Sequence, residues 1–399
     1  MKNKSTKQKP AETLQSIKSE KSTVIVLAIA AAVFFAALFI IYSRGILNGE
    51  GDIFAPNGDE VIEFEKATVT KVVSEDLKPD EIAEGAYTGQ QELAVIVKSG
   101  RYKGEDMIVY NYIGPLSGVP VEKGESVTLT IKTHRGGEHT ATVYEFNRIP
   151  ILAALVLLFF IVIIFIGGRT GLKSLVGLVF TVICLFAILI PLLLKGAPTV
   201  FTTFIVCCYI ALVCFTILGG VHRKTMSAFL GTVSGAFLAM VFGLAAQHFA
   251  IIDGYRLGDA EPLLQMKYEG LTIGISGLLV AGIIISALGA VMDIAMSISS
   301  ALEEVHAANP DLPRRELFKS GMNIGRDMAG TMTNTLILAF LGSEFTFIIF
   351  TYARGLTFYH LYSTVFVALE TISGLSASIG MILAIPLTAL ISATMIAKE

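Results

Sequence analysis

The chain has 399 residues, 53% of them hydrophobic and 16% charged, with no Trp and a mean hydropathy of +0.69. That balance excludes an ordinary soluble globular protein and points to a chain that crosses a membrane several times. The net charge of -3 decides little because charges are segregated by region, and no basic cluster with interleaved aromatics suggests a nucleic-acid partner.

Residues 1–22 form a polar tail carrying Lys2, Lys4, Lys7, Lys9, Lys18 and Lys21. The apolar run 23–42 that follows is near the length of about 20 residues that spans a bilayer. A signal peptide would have a shorter apolar region ending in small residues before a cleavage site. This run ends instead in FIIYSRG. It therefore reads as an uncleaved anchor whose lysines hold the N-terminus in the cytoplasm.

From 43 to 148 the composition becomes that of a soluble, strand-rich domain. The segments VIEFEKATVTKVV, ELAVIVKSG, EDMIVYNYIG, ESVTLTIKT and HTATVYEF are short, β-branched and roughly alternating, and Gly, Pro, Asp and Asn clusters separate them. Five such strands fit a small antiparallel barrel of the OB type or a related sandwich. With the N-terminus inside, this domain lies outside the cytoplasm. No row of exposed aromatics or arginines suited to nucleic acid is read there. His134 and His139 in HRGGEH fall short of a metal ligand set, so neither a metal nor a cofactor is expected.

The remainder, 149–399, forms the multi-span domain. Seven further spans are expected at about 150–168, 172–194, 198–219, 227–250, 270–292, 322–342 and 364–396, giving an α-helical polytopic bundle of about eight spans in all. Arg169 with Lys173, then His222-Arg223-Lys224, then Arg314-Arg315 with Lys319, fall on the side shared with the N-terminus. This bias puts both termini in the cytoplasm. The stretch 343–363 is too short in apolar length to cross, so it reads as re-entrant or interfacial. Cys184, Cys207, Cys208 and Cys214 all lie in apolar spans, so no disulfide framework is implied. Small residues recur one turn apart in three ridges: Gly231, Gly235, Ala239 and Gly243; Gly270, Gly274 and Gly277; and Gly321 with Gly325. Such ridges let helices approach closely in lipid.

Polar groups break the apolar pattern late in the chain. Asp293, Ser297, Ser300 and Glu304 follow steps of three and four, as do Asn323, Asp327, Thr331 and Asn334, with Arg326 turned one residue aside. Groups of this kind are costly in hydrocarbon and tend to face a bundle interior, a wet cavity or a partner. Asp293 is expected near the cytoplasmic end of its span and level with Arg326 and Asp327, so that an Asp293–Arg326 pair is reasonable. Asn323, Thr331, Thr333 and Asn334 would line a path, and Glu370, among apolar neighbours, would bind a proton or cation. A structural lock between helices remains open for Asp293, Arg326 and Asp327. G-x-S-x-G, H-E-x-x-H, Walker and C-x-x-C signatures are absent, so no enzyme is expected.

The stretches GAVMDIAMSISSALEE, GRDMAGTMTNTLILAFLG, HRKTMSAFLGT and ALETISGLSASIGMILAIPLTAL resemble the YibE/F family of bacterial membrane proteins. The order of anchor, strand-rich external domain and multi-span bundle is also similar, and the resemblance covers roughly residues 60–396. It implies an integral protein of the bacterial cytoplasmic membrane, of a kind often described as a transporter without a settled substrate. The expectation is a permease for a small solute or ion, with the lipid bilayer as its surroundings and a second membrane subunit or a homo-oligomer as an open partner. The alternative is a non-transporting envelope scaffold whose external β domain binds a partner.

Overall fold

The computed structural model describes residues 23–36, 60–134, 139–257, 260–268, 270 and 272–397. The basic tail, the end of the expected anchor and 43–59 lie outside the described residues. All five expected strands form: β1 (Glu60–Pro79), β2 (Tyr87–Val97), β3 (Asp106–Ile113), β4 (Ser126–His134) and β5 (His139–Phe146). They close a barrel in the order β1-β2-β3-β5-β4, as in an OB-type barrel. β1 serves both sides, pairing with β4 through its first half and with β2 through its second. Register shifts at Val69/Lys71 and Val72/Ser74 let it coil between the two.

Alternate residues point inward, as the period of two requires. Ala67, Val69, Leu93, Val95, Val97, Val109, Val127, Leu129 and Ile131 make the barrel core. Two amide side chains, Gln91 and Asn111, are buried together beside this core. The Gln91 side chain donates to Glu75 Oε2 (2.8 Å) and the Val121 carbonyl (3.2 Å), and it accepts from Asn111 Nδ2 (3.0 Å) and the Val121 amide (2.9 Å). That set ties β1, β2, β3 and the loop leading to β4 into one network and leaves the Gln91 amide satisfied, which a dry core demands.

The helices are α1 (Thr23–Ala36), α2 (Ile149–Cys184), α3 (Ile190–Leu194), α4 (Thr199–Gly219), α5 (Arg223–Ala250), α6 (Ala260–Tyr268), α7 (Leu278–Ala308), α8 (Arg314–Ser343), α9 (Phe345–Ala353), α10 (Phe358–Ser363) and α11 (Val365–Ile396). They divide between two compact units, one holding the barrel and α2 up to Phe165, the other the chain from Ile166 on together with α1.

The eight expected spans do not all appear as separate helices. Among the described residues five helices are long and apolar enough to cross a membrane, six if α8 and α9 count as one. Three causes account for the difference. The described part of α1, Thr23–Ala36, is short. The two spans expected at 150–168 and 172–194 are joined without a loop: α2 breaks only at Gly168 (φ 54, ψ -130), a backbone state that glycine tolerates freely. α8 passes the apolarity test only together with α9, from which it bends by 63°. Between α2 and α3 the helix widens into a π-type turn, Leu185–Leu189, just before Pro191, whose missing N–H cannot bond back one turn.

The core of the bundle is built around α11, which packs antiparallel to α5 and α8 and parallel to α7. A Cβ placed on Gly231 would meet Thr388, one on Gly235 would meet Ala384 and Val291, and one on Gly380 would meet Ala239. The expected ridge on α5 thus interlocks with a matching ridge, Gly380, Ala384 and Thr388, on α11. The ridge Gly321/Gly325 likewise packs on Ala389 and Leu302, and on Ile385 and Ile298. Small residues at these positions bring backbones close, and dispersion across the contact is what holds helices together in lipid.

Candidate functional site

The expected site residues lie on α7, α8 and α11, and the structure separates them into three places. α7 extends well past the expected boundary at 292, ending at Ala308, so Asp293 sits at the middle of the helix and not at its end. Its inner face (Ile284, Leu288, Val291, Ile294, Ala295, Ile298, Leu302) is buried among apolar neighbours. Gly282, Gly289, Asp293 and Ser297 lie on the opposite, exposed face. That face borders a cavity of about 410 Å³ lined by α2, α4 and α7, with Ser174 and Thr181 opposite Met292, Asp293 and Met296. The lining runs from Ile285 to Met296 on α7, a length of about 16 Å at about 1.5 Å per residue. Thr181 donates to the Gly177 carbonyl at 2.9 Å, so Asp293 is the ionisable carboxylate among largely apolar walls.

α8 shows the second arrangement, and it overturns an expectation. Leu317, Gly321 and Gly325 are buried, whereas Asn323, Arg326, Asp327, Thr331 and Asn334 are all exposed. The polar face turns away from α7 and α11 because the glycines, on the other side of the helix, are what allow close packing. Among the described residues, the side chains of Asp293, Arg326 and Asp327 make no ion pair with one another. The anticipated Asp293–Arg326 pair is absent, and no single path inside the chain links α7 to α8. Thr331 bonds its own helix, donating to the Met328 carbonyl at 3.0 Å. Thr333 alone of this group is partly enclosed, with its hydroxyl buried and unpartnered.

Glu370 forms the third place. A Cβ on Gly374 would touch Phe340, and the antiparallel register that this fixes puts Glu344, one turn beyond Phe340, level with Glu370, one turn before Gly374. The two carboxylates repel each other. Glu344 caps α9 at its bend from α8, and Glu370 lies in the first turns of α11.

Residues the sequence reading did not anticipate complete the picture. Lys224 and Glu303 pair at 3.0 Å between α5 and α7; both charges were visible, but their facing each other depends on the helix register. In the barrel, Ile108, Tyr110 and Tyr112 form an exposed row on β3 (61%, 42% and 60% exposed) with the two tyrosine rings stacked at 6.3 Å. The alternation in MIVYNYI was the signal for that row, which corrects the reading that the barrel has no exposed aromatics in line. Its neighbours across the ladder include Glu92, a poor match to a polyanion. Among the described residues no group of three or more His, Cys, Asp or Glu could hold a metal.

Long apolar helices closed by small-residue ridges, with ionisable groups at membrane depth, define a multi-span integral membrane protein. Residues 155–398, more than half of the chain, match the family described as YibE/F-like protein, and the chain belongs to that family. The match runs from within α2 to the end of α11 and leaves out α1 and the barrel. No match was found among curated proteins or among solved structures.

Proposed function

We propose that this protein is a permease of the bacterial cytoplasmic membrane that moves a small cation or cation-coupled solute, with both termini in the cytoplasm and the barrel on the other side. The observation that supports this reading most directly is Asp293 on the wall of the cavity between α2, α4 and α7. A carboxylate at the centre of a bilayer-length helix costs about 2.5–3.5 kcal/mol by insertion scales. Such a residue persists where it meets water or a cation rather than lipid. Ser174 and Thr181 offer hydroxyl oxygens on the facing wall, the kind of donor set that replaces part of a hydration shell without binding so tightly as to trap the ion. In this scheme Glu370 and Glu344 supply a second anionic station at the far end of α11.

The test is flux into proteoliposomes, with proton, Na⁺ and K⁺ gradients imposed in turn. Asp293→Asn is expected to abolish gradient-driven uptake while the protein remains folded and inserted. If no imposed gradient drives a flux that Asp293→Asn reduces, the reading is wrong. One observation favours a second reading: the exposed row Ile108, Tyr110 and Tyr112 on the barrel suits an envelope partner, as a scaffold would require. Ile108→Ser with Tyr110→Ser and Tyr112→Ser separates the two, because it spares flux in the first case and abolishes partner capture in the second.

A further inference from the structure

The exposed face of α8 is patterned from end to end. Asn323, Asp327, Gly330, Asn334, Ile337 and Leu341 are all exposed, and they follow one another at spacings of four, three, four, three and four. That is the seam of a heptad repeat, which directs one helix against another of the same pitch. The seam is about 27 Å long at about 1.5 Å per residue, close to the roughly 30 Å of bilayer hydrocarbon. Its depth is fixed by the packing on the other side of the helix: Gly321, Gly325 and Phe340 meet Ala389, Ile385 and Gly374 of α11, within an apolar membrane-length helix. The face therefore lies where lipid would otherwise touch two amides, a carboxylate and a guanidinium. Among the described residues, Asn323, Arg326, Asp327 and Asn334 make no side-chain hydrogen bond, and Arg326 and Asp327 no ion pair.

We infer that a second copy of this chain covers the face, through a parallel pairing of α8 with its two-fold mate. The charges select that occupant. In the heptad Asp327 and Asn334 fall at a positions, Gly330 and Ile337 at d positions, and Arg326 at the g position beside Asp327. A two-fold axis along the seam sets each Arg326 next to the Asp327 of the other copy, and the reverse, so that both charges are answered at once. A partner carrying charge of one sign would leave one of the two unpaired. Asn334 meets its own counterpart, and an amide both donates and accepts, so it satisfies itself. Gly330 has nothing within 4 Å of where a Cβ would stand, which leaves room for the approaching backbone. The inference is independent of the transport reading, since it uses a different face of the bundle from the Asp293 cavity.

Two measurements on the full chain in native membranes test it. In oxidative cross-linking, Asn334→Cys and Ile337→Cys are expected to give a disulfide-linked dimer in at least fivefold excess over Ala339→Cys, which stands on another side of the helix, and over the parent chain. In a lipid bilayer, single-molecule photobleaching of the parent is expected to report dimers. Arg326→Asp and Asp327→Arg alone are each expected to lower the dimer fraction at least tenfold, and the double exchange to restore it. A parent that counts as monomer, cross-linking at Asn334→Cys no greater than at Ala339→Cys, or cross-links only to a different protein would overturn the inference. So would a double exchange that fails to restore dimers while each Cys variant remains inserted.

Discussion

The contact between α5 and α11 makes a demand that can be measured. Gly380→Ala adds a methyl group whose Cβ would lie 2.5 Å from the Ala239 Cβ and 2.9 Å from both its Cα and its backbone nitrogen. Ordinary contact needs more than 3.4 Å, and two of the three obstructing atoms are helix backbone that no side-chain rotation can clear. The helices must separate by about 1 Å, which loosens Gly235 against Ala384 and Gly231 against Thr388 along the same ridge. Overpacking of this kind costs about 1–3 kcal/mol, and the rigid neighbours place this site at the upper end. Alanine returns about 1 kcal/mol through its better helix propensity, leaving a net loss of about 2 kcal/mol. At roughly 2–4 °C per kcal/mol for a unit the size of the bundle from Ile166 on, the thermal midpoint of the purified protein in detergent should fall by about 4–8 °C. Gly282→Ala is the control, because nothing lies within 4 Å of its Cβ position and it should be neutral or slightly stabilising. A Gly380→Ala variant as stable as the Gly282→Ala variant would refute the close-packing argument.

Three further outcomes follow from individual side chains. Gln91→Leu leaves the Val121 N–H without a partner inside the barrel and the Asn111 amide with only its bond to the Val119 carbonyl; at about 1–3 kcal/mol for an orphaned group, amide exchange in β2 and β3 should accelerate by about 100-fold in the full chain, and unchanged exchange would discount the network. Ser299 and Ser392 share one hydrogen bond of 3.0 Å and are fully buried, so Ser392→Ala should destabilise the bundle by about 1 kcal/mol. Adding Ser299→Ala should recover part of that loss in the same thermal assay, whereas purely additive losses would mean the bond carries none of it. Asp80 accepts from the Ala83 and Ile82 amides at 2.7 and 2.9 Å, and these bonds hold its carboxyl below the usual carboxylate range. Its folded-state value being depressed, the stabilisation is present above the ordinary value of about 3.9 and fades as pH falls through the folded one. Carboxyl-carbon NMR should place its midpoint below the ordinary value, and a midpoint at or above that value would discount the cap.

Much of the barrel was legible because a period of two leaves few alternatives. Once β2 reads as alternating, Leu93, Val95 and Val97 must share a face, and a one-residue slip would expose all three. What the strands do not state is how they order around the barrel. The β3–β5 neighbour relation, a parallel contact at Tyr110 and Thr142, is long-range and has no local signature. The same limit hid the row Ile108, Tyr110 and Tyr112, since alternation gives a face but not which face looks outward when both carry apolar residues. Helix ends were harder still. α7 runs on to Ala308 because Ser297, Ser300 and Glu304 are compatible with helix even though they ended the apolar run.

α8 shows why a correct list of residues can sit on the wrong side of a helix. Two faces were visible in the sequence, one of small residues at Gly321 and Gly325, the other polar at Asn323, Asp327, Thr331 and Asn334. Assigning the polar face to the interior followed from the cost of charge in hydrocarbon. That cost, however, requires only that such groups be covered, and it is silent on what covers them. The glycines carry the more local constraint: a Cβ on Gly325 would stand 2.1 Å from the Ile385 Cγ2, so no other residue type admits α11 this closely. Packing against a neighbour in the same chain is decided by shape, which the small residues specify. The polar residues, about 200° further round at two residues' remove from each glycine, are then carried outward by geometry. In a helix with both signals, small residues therefore mark the contact made within the chain, and the polar residues mark the contact the chain leaves to be made.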